Sequence, residues 1–298
     1  MIKAAQKLNY RPNLAAVNLR LKKTNSIGLL IPSLANPFFG YVASHITSEL
    51  HKKGYSVIIS DCGEDDRIES EMLNQLADRR IDGLLISPAS RKPALFESFH
   101  RTGLPIVFFD RYFEDSFIPY VSSHNYQGAY EITKYLIKAG HKRIACIQAT
   151  HDVMPVTTRL RGYVAAMKEA GLTPDCVGNG FSLQNGYIET KVLLNRVQPP
   201  TAIFAFTNPI ALGSIKALRE EGINIPGDIS LVTFDDSEYL KFLDPPVTCV
   251  EQPLPEMAQI AVKILLQQIE SQENEVVNKQ EKILLEPRII HRKSTRIL

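Results

Sequence analysis

The chain has 298 residues, of which 44% are hydrophobic and 22% charged, a composition that excludes a disordered chain, a collagen-like chain and a small disulfide-rich scaffold. No apolar run approaches the roughly 18 residues of a membrane-spanning helix, and residues 1–13 lack the apolar core of a signal peptide. The net charge is +2, yet residues 1–25 carry six basic residues and no acidic one, which leaves 28 basic and 32 acidic residues in the rest of the chain.

This uneven charge predicts a basic N-terminal arm on a mildly acidic body. Such an arm is typical of contact with a polyanion, although a solvated terminal helix would carry the same charge. At roughly 150 residues per domain, the length predicts two domains or two lobes.

The four cysteines, Cys62, Cys146, Cys176 and Cys249, are far apart in the sequence. None forms a C-x-x-C pair, so zinc and redox motifs are not predicted. Widely spaced thiols in a chain without an export signal fit a reducing cytoplasm.

Short apolar runs alternate with helical patterns along the body of the chain. The predicted strands are 26–31, 55–60, 83–86 and 106–109, followed by 144–148, a weak run at 177–181, 202–206 and 230–234. The predicted helices are one from Asn36-Pro37 to Lys53-Gly54, then 69–79, 128–139, 159–170, 185–196, 209–221 and 255–271. Most strands are uninterrupted apolar runs, as in parallel strands covered on both faces. The two series predict an α/β fold with two doubly wound parallel-sheet lobes, whose strand ends would surround one cleft.

The usual signatures of catalysis are missing from the sequence. There is no G-x-x-x-x-G-K-[ST], no H-E-x-x-H and no G-x-S-x-G, and the seven histidines show no ligand spacing. Asp235 and Asp236 could form a catalytic or metal-binding pair, but adjacent carboxylates after a strand more often provide one ligand contact and one helix cap. We therefore expect no enzyme activity, no metal and no cofactor.

Segments spread over nearly the whole chain match the pattern of one family in its order. They begin with Leu8-Asn9-Tyr10-Arg11-Pro12-Asn13, Ala16, Leu19, Thr24 and Ser26-Ile27-Gly28-Leu29-Leu30. They continue with Asn36-Pro37-Phe38-Phe39, Val107-Phe108-Phe109-Asp110-Arg111, Arg159-x-x-Gly162-Tyr163, Pro200-Thr201-Ala202-Ile203-Phe204, Ala211-x-Gly213, Ile225-Pro226-x-Asp228-Ile229-Ser230-Leu231-Val232-x-Phe234-Asp235, Gln252-Pro253 and Arg292-x-Ser294-Thr295. Each segment is weak alone, but together they resemble the LacI/GalR family of bacterial transcription regulators.

The resemblance implies two lobes of the periplasmic-binding-protein-like type I, joined by three crossover segments near 121–125, 248–252 and 282–285. It implies an arm (1–25) with the end of a headpiece, a basic hinge helix and a linker, an N-terminal lobe (26–124 plus 251–280) and a C-terminal lobe (125–250 plus 281–298). It also implies a homodimer in which a ligand in the cleft controls DNA binding.

Members of the family begin with a helix-turn-helix headpiece, whereas this sequence begins inside its last helix, at about residues 1–8. Without the recognition helix, the sequence as given is not expected to read a major groove. A headpiece upstream, a shortened chain and a protein that works without a headpiece all remain open, although the basic linker favours a lost upstream segment.

The DNA contact that remains is the hinge segment, residues 13–20, which in the family forms a minor-groove helix with a leucine wedged into a base step. Leu19 takes the wedge position here, and the alternative is that it packs against the body. The segment is too short for a stable isolated helix, so we expect it to become ordered on DNA. The implied DNA-binding residues are Arg11, Asn13, Ala16, Leu19 and Arg20.

Nine residues are candidates for an effector site between the lobes. Asp110 and Asp235 end predicted strands, where carboxylates are unusual in a core but are good acceptors for sugar hydroxyls. Arg159 stands at the family's effector-binding arginine, and its planar fork suits paired hydroxyls or a carboxylate. The other candidates are Phe38, Phe39, Arg111, Phe206, Thr207 and Asn208, with one of the two adjacent rings expected to line the cleft. For each residue the alternative is a helix cap or a contact between lobes.

These features predict a ligand-responsive repressor of LacI/GalR type whose small-molecule effector is a sugar, with a nucleoside or purine as the next candidate. The expected partners are that effector, operator DNA and a second copy of the chain, with no membrane. The alternatives are a transport-type sugar-binding protein, which would need an export signal and no basic arm, a sensor that does not bind DNA, and an enzyme on the same scaffold.

Overall fold

The computed structural model describes residues 23–150, 152–274 and 281–298. The predicted hinge residues, Arg11, Asn13, Ala16, Leu19 and Arg20, lie outside the described residues. The described chain forms two six-stranded sheets packed against helices, which confirms the predicted α/β fold with two doubly wound lobes. None of the helices in these ranges combines the length and hydropathy that a bilayer crossing requires.

Strands and helices alternate along most of the chain. The strands are β1 (Ser26–Ile31), β2 (Ser56–Asp61), β3 (Gly83–Ile86), β4 (Ile106–Phe109), β5 (Tyr120–Ser123), β6 (Ile144–Ile147), β7 (Asp175–Val177), β8 (Ala202–Ala205), β9 (Ser230–Phe234), β10 (Thr248–Glu251), β11 (Lys282–Leu285) and β12 (Arg288–Ile290). The helices are α1 (Pro37–Lys52), α2 (Asp66–Asp78), α3 (Pro93–Arg101), α4 (Asn125–Lys138), α5 (Met154–Glu169), α6 (Leu183–Leu194), α7 (Asn208–Glu220) and α8 (Leu254–Asn274).

The first sheet has the order β11-β5-β4-β3-β1-β2, and its neighbouring strands are all parallel. Helices α1 and α8 share one buried cluster with one face of this sheet, and α2 and α3 share a second cluster with the other face. The second sheet has the order β12-β10-β9-β8-β6-β7 and is parallel except for the antiparallel edge strand β12. Burial on both faces explains the uninterrupted apolar runs of the central strands.

The chain passes between the two sheets three times, from β5 to α4, from β10 to α8 and from β11 to β12. The first passage lies at 123–125, inside the predicted segment, and the second at 252–253, at the end of the predicted one. The third lies at 286–287, because Lys282–Leu285 is itself a strand that pairs with β5 of the first sheet. The prediction places all of residues 281–298 in the C-terminal lobe, whereas β11 belongs to the sheet of the N-terminal lobe.

Several short elements differ from their predictions. The weak run at 177–181 predicts a strand, whereas β7 ends at Val177 and the chain turns at Gly178, whose φ is +92°. Strands β5, β10, β11 and β12 and helix α3 are not predicted from the sequence at all. The missed strands have three or four residues and each includes a polar or charged one, whereas the predicted four-residue strands β3, β4, β6 and β8 belong to uninterrupted apolar runs.

Two helix pairs of the second lobe approach so closely that glycine is required at the contact. Helices α6 and α7 cross at Gly186 and Gly213, where a Cβ atom on Gly213 would stand 2.0 Å from the carbonyl oxygen of Leu183. Helix α5 meets α4 at Gly162, where a Cβ atom would stand 2.3 Å from the carbonyl oxygen of Tyr126. The glycines of two matched segments are thus explained by backbone packing.

Gly213→Ala should lower the free energy of unfolding by about 1–3 kcal/mol, because the added methyl group overpacks a backbone contact. This loss should exceed the gain of about 1 kcal/mol that alanine brings to a helix. The matched control is Gly40→Ala in α1, which should stabilise the protein by about 0.5–1 kcal/mol, because the new Cβ atom meets nothing within 4 Å. Urea unfolding followed by circular dichroism measures both, and a Gly213→Ala variant as stable as the parent would contradict the close approach.

Candidate functional site

The carboxyl ends of central strands from the two sheets face each other across a cleft. Asp110 directly follows β4, Asp235 directly follows β9, and both line the same cavity. Their exposed fractions are 4% and 7%. Both have a left-handed backbone, with φ of 60° and 74°, which is uncommon outside glycine. Each strand therefore ends in a strained turn that carries a carboxylate at the interface between the lobes.

Asp110 is buried with little compensation from its own lobe. Ser87 Oγ donates a hydrogen bond to Oδ2 at 3.4 Å, and Arg111 Nε lies 4.0 Å from the same oxygen. Burial, with a smaller contribution from the charge of Asp235, raises the pKa of Asp110 to about 6, although Arg111 and Arg159 oppose the rise. The ionised form of Asp110 is therefore destabilised by its burial at neutral pH.

Arg159 of α5 faces Asp235 from the same lobe. Its NH2 lies 3.7 Å from Asp235 Oδ1, its Nε donates to Asn125 Oδ1 at 2.8 Å, and its NH1 donates to the Phe206 carbonyl oxygen at 2.7 Å. The guanidinium also stacks 3.7 Å from the centre of the Phe234 ring. Burial lowers the pKa of Arg159 and the two nearby carboxylates oppose this, yet a guanidinium remains charged. We call Asp110, Arg159 and Asp235 the charged cluster.

Both of the first two passages between the sheets contribute an amide to the charged cluster. Gln252 Nε2 donates to Asp235 Oδ1 at 2.5 Å, and Asn125, which begins α4, accepts from Arg159. Burial raises the pKa of Asp235, and Arg159 and the Gln252 hydrogen bond oppose the rise. Within the described ranges, Gln252 Oε1 is buried without a hydrogen-bond partner. The segments on which the lobes could rotate are therefore bonded directly to the charges in the cleft.

Arg111 is a predicted effector contact, but its guanidinium is already paired. NH1 and NH2 donate to the two carboxylate oxygens of Glu64, each at 2.7 Å, and NH1 also lies 3.3 Å from the Pro88 carbonyl oxygen. The guanidinium lies 5.8 Å from the ring centre of Phe39 in the first lobe and 5.4 Å from that of Phe181 in the second. Arg111 thus links the lobes by contacts with aromatic rings, while its two terminal nitrogen atoms are hydrogen-bonded to Glu64.

The two rings at the start of α1 are placed by a helix cap. The Asn36 side chain accepts a hydrogen bond from the Phe38 amide at 3.2 Å, and Pro37 occupies the first turn. The rings of Phe38 and Phe39 meet edge to face with centres 5.0 Å apart. Both are buried and both line the cavity, so the expectation that only one of them does so is corrected.

The three predicted residues after β8 have different surroundings. The ring of Phe206 packs edge to face on Phe204, with centres 4.9 Å apart, and Asn208 Nδ2 donates to Ser237 Oγ at 2.5 Å. Neither Phe206 nor Asn208 is among the described residues that line the cavity. Thr207 does line it, and its buried hydroxyl has no hydrogen-bond partner in the described part of the chain.

Asp236 has a structural partner rather than the expected role of a helix cap. It accepts two hydrogen bonds from Arg292 Nη2, at 2.8 and 2.6 Å, and both residues are partly buried. The cap of the short 3-10 turn Glu238–Lys241 is Ser237 instead. The adjacent carboxylates therefore serve different partners, and among the described residues no group of three or more His, Cys, Asp or Glu side chains could hold a metal ion.

The open space directly at the charged cluster is small, although a larger cavity of about 660 Å³ opens between the lobes beside it, with Arg111 of the first lobe and Arg161 of the second in its lining. The cavity at the charged cluster has about 30 Å³, which is about the share of one water molecule in the liquid. An adjoining cavity of about 180 Å³ lies between α1 and the second passage and is lined by Tyr41, His45 and Gln252, among others. Tyr41 and His45 are not in the predicted site, although their helical spacing from Phe38 is a signal that could have found them. Ligand sites usually have roughly 300–1,000 Å³, so a sugar in contact with both Asp110 and Asp235 needs the space at the charged cluster to widen.

Known proteins share this architecture. Residues 133–295 match the family described as periplasmic binding protein-like domain. The chain is 33% identical to the ribose operon repressor of Haemophilus influenzae over 275 residues, which cover 91% of this chain and 82% of that repressor.

Two solved structures extend the likeness to three dimensions. A LacI family transcriptional regulator from Enterococcus faecium with bound ribose matches with a TM-score of 0.82 and 28% identity, over 92% of this chain and 99% of that one. The Lac repressor dimer bound to operator and the anti-inducer ONPF matches with a TM-score of 0.88 and 25% identity, over 99% of this chain and 88% of that one.

These matches include both sheets and the cleft between them, and they agree with the order of the sequence segments that resemble one family. The relatives are repressors and transcriptional regulators. The chain therefore belongs to the LacI family of transcriptional regulators and has the periplasmic-binding-protein-like fold of that family.

Proposed function

We propose that this chain is the effector-binding and dimerising part of a cytoplasmic repressor, and that its effector is a neutral sugar bound between the lobes. The observation that carries the proposal is the charged cluster, in which two buried carboxylates on strained turns face one arginine. Such an arrangement costs stability without ligand and offers acceptors and donors to ligand hydroxyls. Ribose bound to a relative supports the same class of ligand.

The charge of the cleft favours a neutral effector. Arg111 Nε lies 4.0 Å from Asp110, but its charge is offset by Glu64 through two hydrogen bonds, which leaves Arg159 to balance Asp110 and Asp235. The net charge of these three groups is negative at neutral pH, and a phosphate or carboxylate ligand would add repulsion. The rings of Phe38 and Phe39 provide apolar faces for a sugar ring. A nucleoside or purine is the second candidate, since the same rings could stack on a base.

The proposed mechanism is a shift of population between lobe arrangements. A sugar that contacts both Asp110 and Asp235 binds one arrangement better than another, and only this difference in affinity can move the equilibrium. Because Asn125 and Gln252 belong to the passages between the sheets, a change at the charged cluster acts on the segments that set the angle between the lobes. In a homodimer, that angle would set the separation of the two hinge segments on operator DNA. The Lac repressor, a relative, is a dimer bound to operator.

A regulator is favoured over the alternatives. The relatives are repressors and regulators, which argues against an enzyme, while the basic residues of 1–25 argue against a transport protein. Gel shift with operator-like DNA and a chain that includes a headpiece would distinguish a repressor from a sensor that does not bind DNA.

Asp235→Asn and Arg159→Lys should each weaken effector binding by about 10–100-fold, because a hydrogen bond to a charged group contributes about 1.5–3 kcal/mol. Since the chain has no tryptophan, a dye-based thermal shift against sugars, sugar phosphates, nucleosides and purines should identify the effector. Isothermal titration calorimetry should then measure its affinity for each variant.

The control for this experiment is Glu238→Gln, which neutralises an exposed acid three residues from Asp235 and should leave the affinity unchanged. Sugar phosphates should shift the melting temperature less than the parent sugars. A folded protein that responds to no sugar, or an effector whose affinity is unchanged by Asp235→Asn, would contradict the proposed site.

Asp110→Asn should stabilise the ligand-free protein at about pH 7.5, because it removes a buried charge whose pKa is raised to about 6. Each pKa unit corresponds to about 1.4 kcal/mol, so the gain should be on the order of 1–3 kcal/mol. Below pH 6 the folded protein protonates Asp110, so the gain should shrink as the pH falls towards 4. Asparagine also tolerates the left-handed backbone at this position.

Urea unfolding at several pH values measures this effect. Asp228→Asn is a control that should lower the free energy of unfolding instead, because hydrogen bonds from Asn224 lower the pKa of Asp228. The stability that ionised Asp228 contributes is present above about pH 4 and is lost as the pH falls below it. An Asp110→Asn variant that is destabilised equally at all pH values would show that Asp110 supports the fold rather than a ligand.

A further inference from the structure

Cys146 and Cys176 are thirty positions apart in the sequence but directly opposite each other in the second sheet. Strands β6 and β7 are parallel neighbours, and their register pairs Cys146 with Cys176. Neighbouring strands lie about 4.8 Å apart, which is inside the range of about 4.4–6.8 Å between the Cα atoms of disulfide-bonded cysteines. Residues paired in this way project to the same face of a sheet, so the two side chains are within reach of each other.

The two thiols of this pair have different exposure. Strand β7 is at the edge of the sheet, and Cys176 is exposed there, whereas Cys146 lies on the inner strand and is fully buried. A hydrogen bond from the Cys146 thiol lowers the pKa of Cys176, and burial raises the pKa of Cys146. An exposed thiol whose pKa is lowered, next to a second thiol, is the arrangement that small oxidants attack most readily.

Tyr163 holds the two strands together beside this pair. Its hydroxyl donates to the carbonyl oxygen of Ile144 at 2.7 Å and accepts from the amide of Asp175 at 2.9 Å. These two residues precede Cys146 and Cys176 by two positions and one position. Because α5 is bonded to both strands at this point, Cys146 and Cys176 are held in register and a bond between them needs no rearrangement of the strands.

We propose that Cys146 and Cys176 form a reversible disulfide when the protein meets hydrogen peroxide or an organic peroxide. The thiolate of Cys176 attacks the terminal peroxide oxygen and the O–O bond breaks, which gives a sulfenic acid on Cys176. The hydroxide or alkoxide that leaves takes up a proton from solvent, equivalent to the one the Cys176 thiol lost on ionising, and departs as water or an alcohol. The sulfur of Cys146 then attacks the sulfur of Cys176, so the S–S bond forms, the S–O bond breaks, and the hydroxyl leaves as water with the proton of Cys146. Two thiols lose two electrons, and the peroxide gains them.

The other two cysteines lack these features. Cys62 and Cys249 are buried, and burial raises the pKa of both thiols, that of Cys62 to about 12. In a reducing cytoplasm a disulfide of this kind is transient, and a cellular thiol would restore the pair. Both cysteines lie in the second sheet, so the disulfide would form in the lobe that carries Arg159. Cys176 is also close in sequence to the loop at Gly178, which leads to Phe181 in the cleft.

The test is a thiol count on the whole chain before and after exposure to hydrogen peroxide. The reduced, denatured protein should take up four N-ethylmaleimide groups, one for each cysteine, and the oxidised protein only two, with dithiothreitol restoring four. Peptide mapping without reduction should recover Cys146 linked to Cys176. In Cys146→Ser the sulfenic acid on Cys176 should persist and react with dimedone.

Cys62→Ser and Cys249→Ser are the matched controls and should form the disulfide as the parent does. Cys176→Ser should form none, and because position 176 is exposed this variant should fold even if Cys146→Ser does not. The proposal is overturned if the parent keeps four reactive thiols after peroxide treatment, or if the recovered disulfide joins other cysteines or two different chains.

Discussion

The arrangement of the whole molecule depends on the burial of opposite charges between two sheets. Asp110 comes from the end of β4, Asp235 from the end of β9 and Arg159 from α5, so the lobes can close only when these three groups meet. Burying them is unfavourable for each charge separately, and the attraction between them repays that penalty only with good geometry. Here the closest approach of Arg159 to Asp235 is 3.7 Å, which is longer than a direct hydrogen bond. Ligand groups that complete the hydrogen bonding would therefore gain more here than on a neutral surface.

This constraint links the cleft to the passages between the sheets. An amide bound to a buried charge cannot move away without leaving that charge unsatisfied. Asn125 and Gln252 are in this position, one on each of the first two passages. A ligand that takes over the hydrogen bonds of the charges would release or reorient these amides. A change in hydrogen bonding at the charged cluster could therefore act directly on the passages between the lobes, with no long chain of contacts through the core.

Sequence patterns predicted the parts of the molecule that depend on local order, and missed those that depend on distant partners. The strand ends that carry Asp110 and Asp235 follow from uninterrupted apolar runs, and the aromatic pair follows from a cap and a proline. The pairing of Arg111 with Glu64 joins positions 47 apart, and no spacing rule points to it. The same holds for Cys146 and Cys176, because only the order of strands in the sheet makes them neighbours. Strands β5, β10, β11 and β12 were missed for a different reason, since each is a run of three or four residues that includes a polar or charged one.

Close helix packing in the second lobe fits the proposed mechanism, in which a small site acts on the lobe as a whole. Glycines at the α4–α5 and α6–α7 contacts bring helix backbones together, and a backbone contact allows less sliding than a contact between flexible side chains. Arg159 lies one turn before Gly162 on α5, and Thr207 directly precedes α7, the helix that contains Gly213. Both cleft residues are therefore fixed to the same body, and a change in their distance from Asp110 must move the lobe as a unit. The passages at 123–125, 252–253 and 286–287 are then the places where the backbone has to absorb the difference.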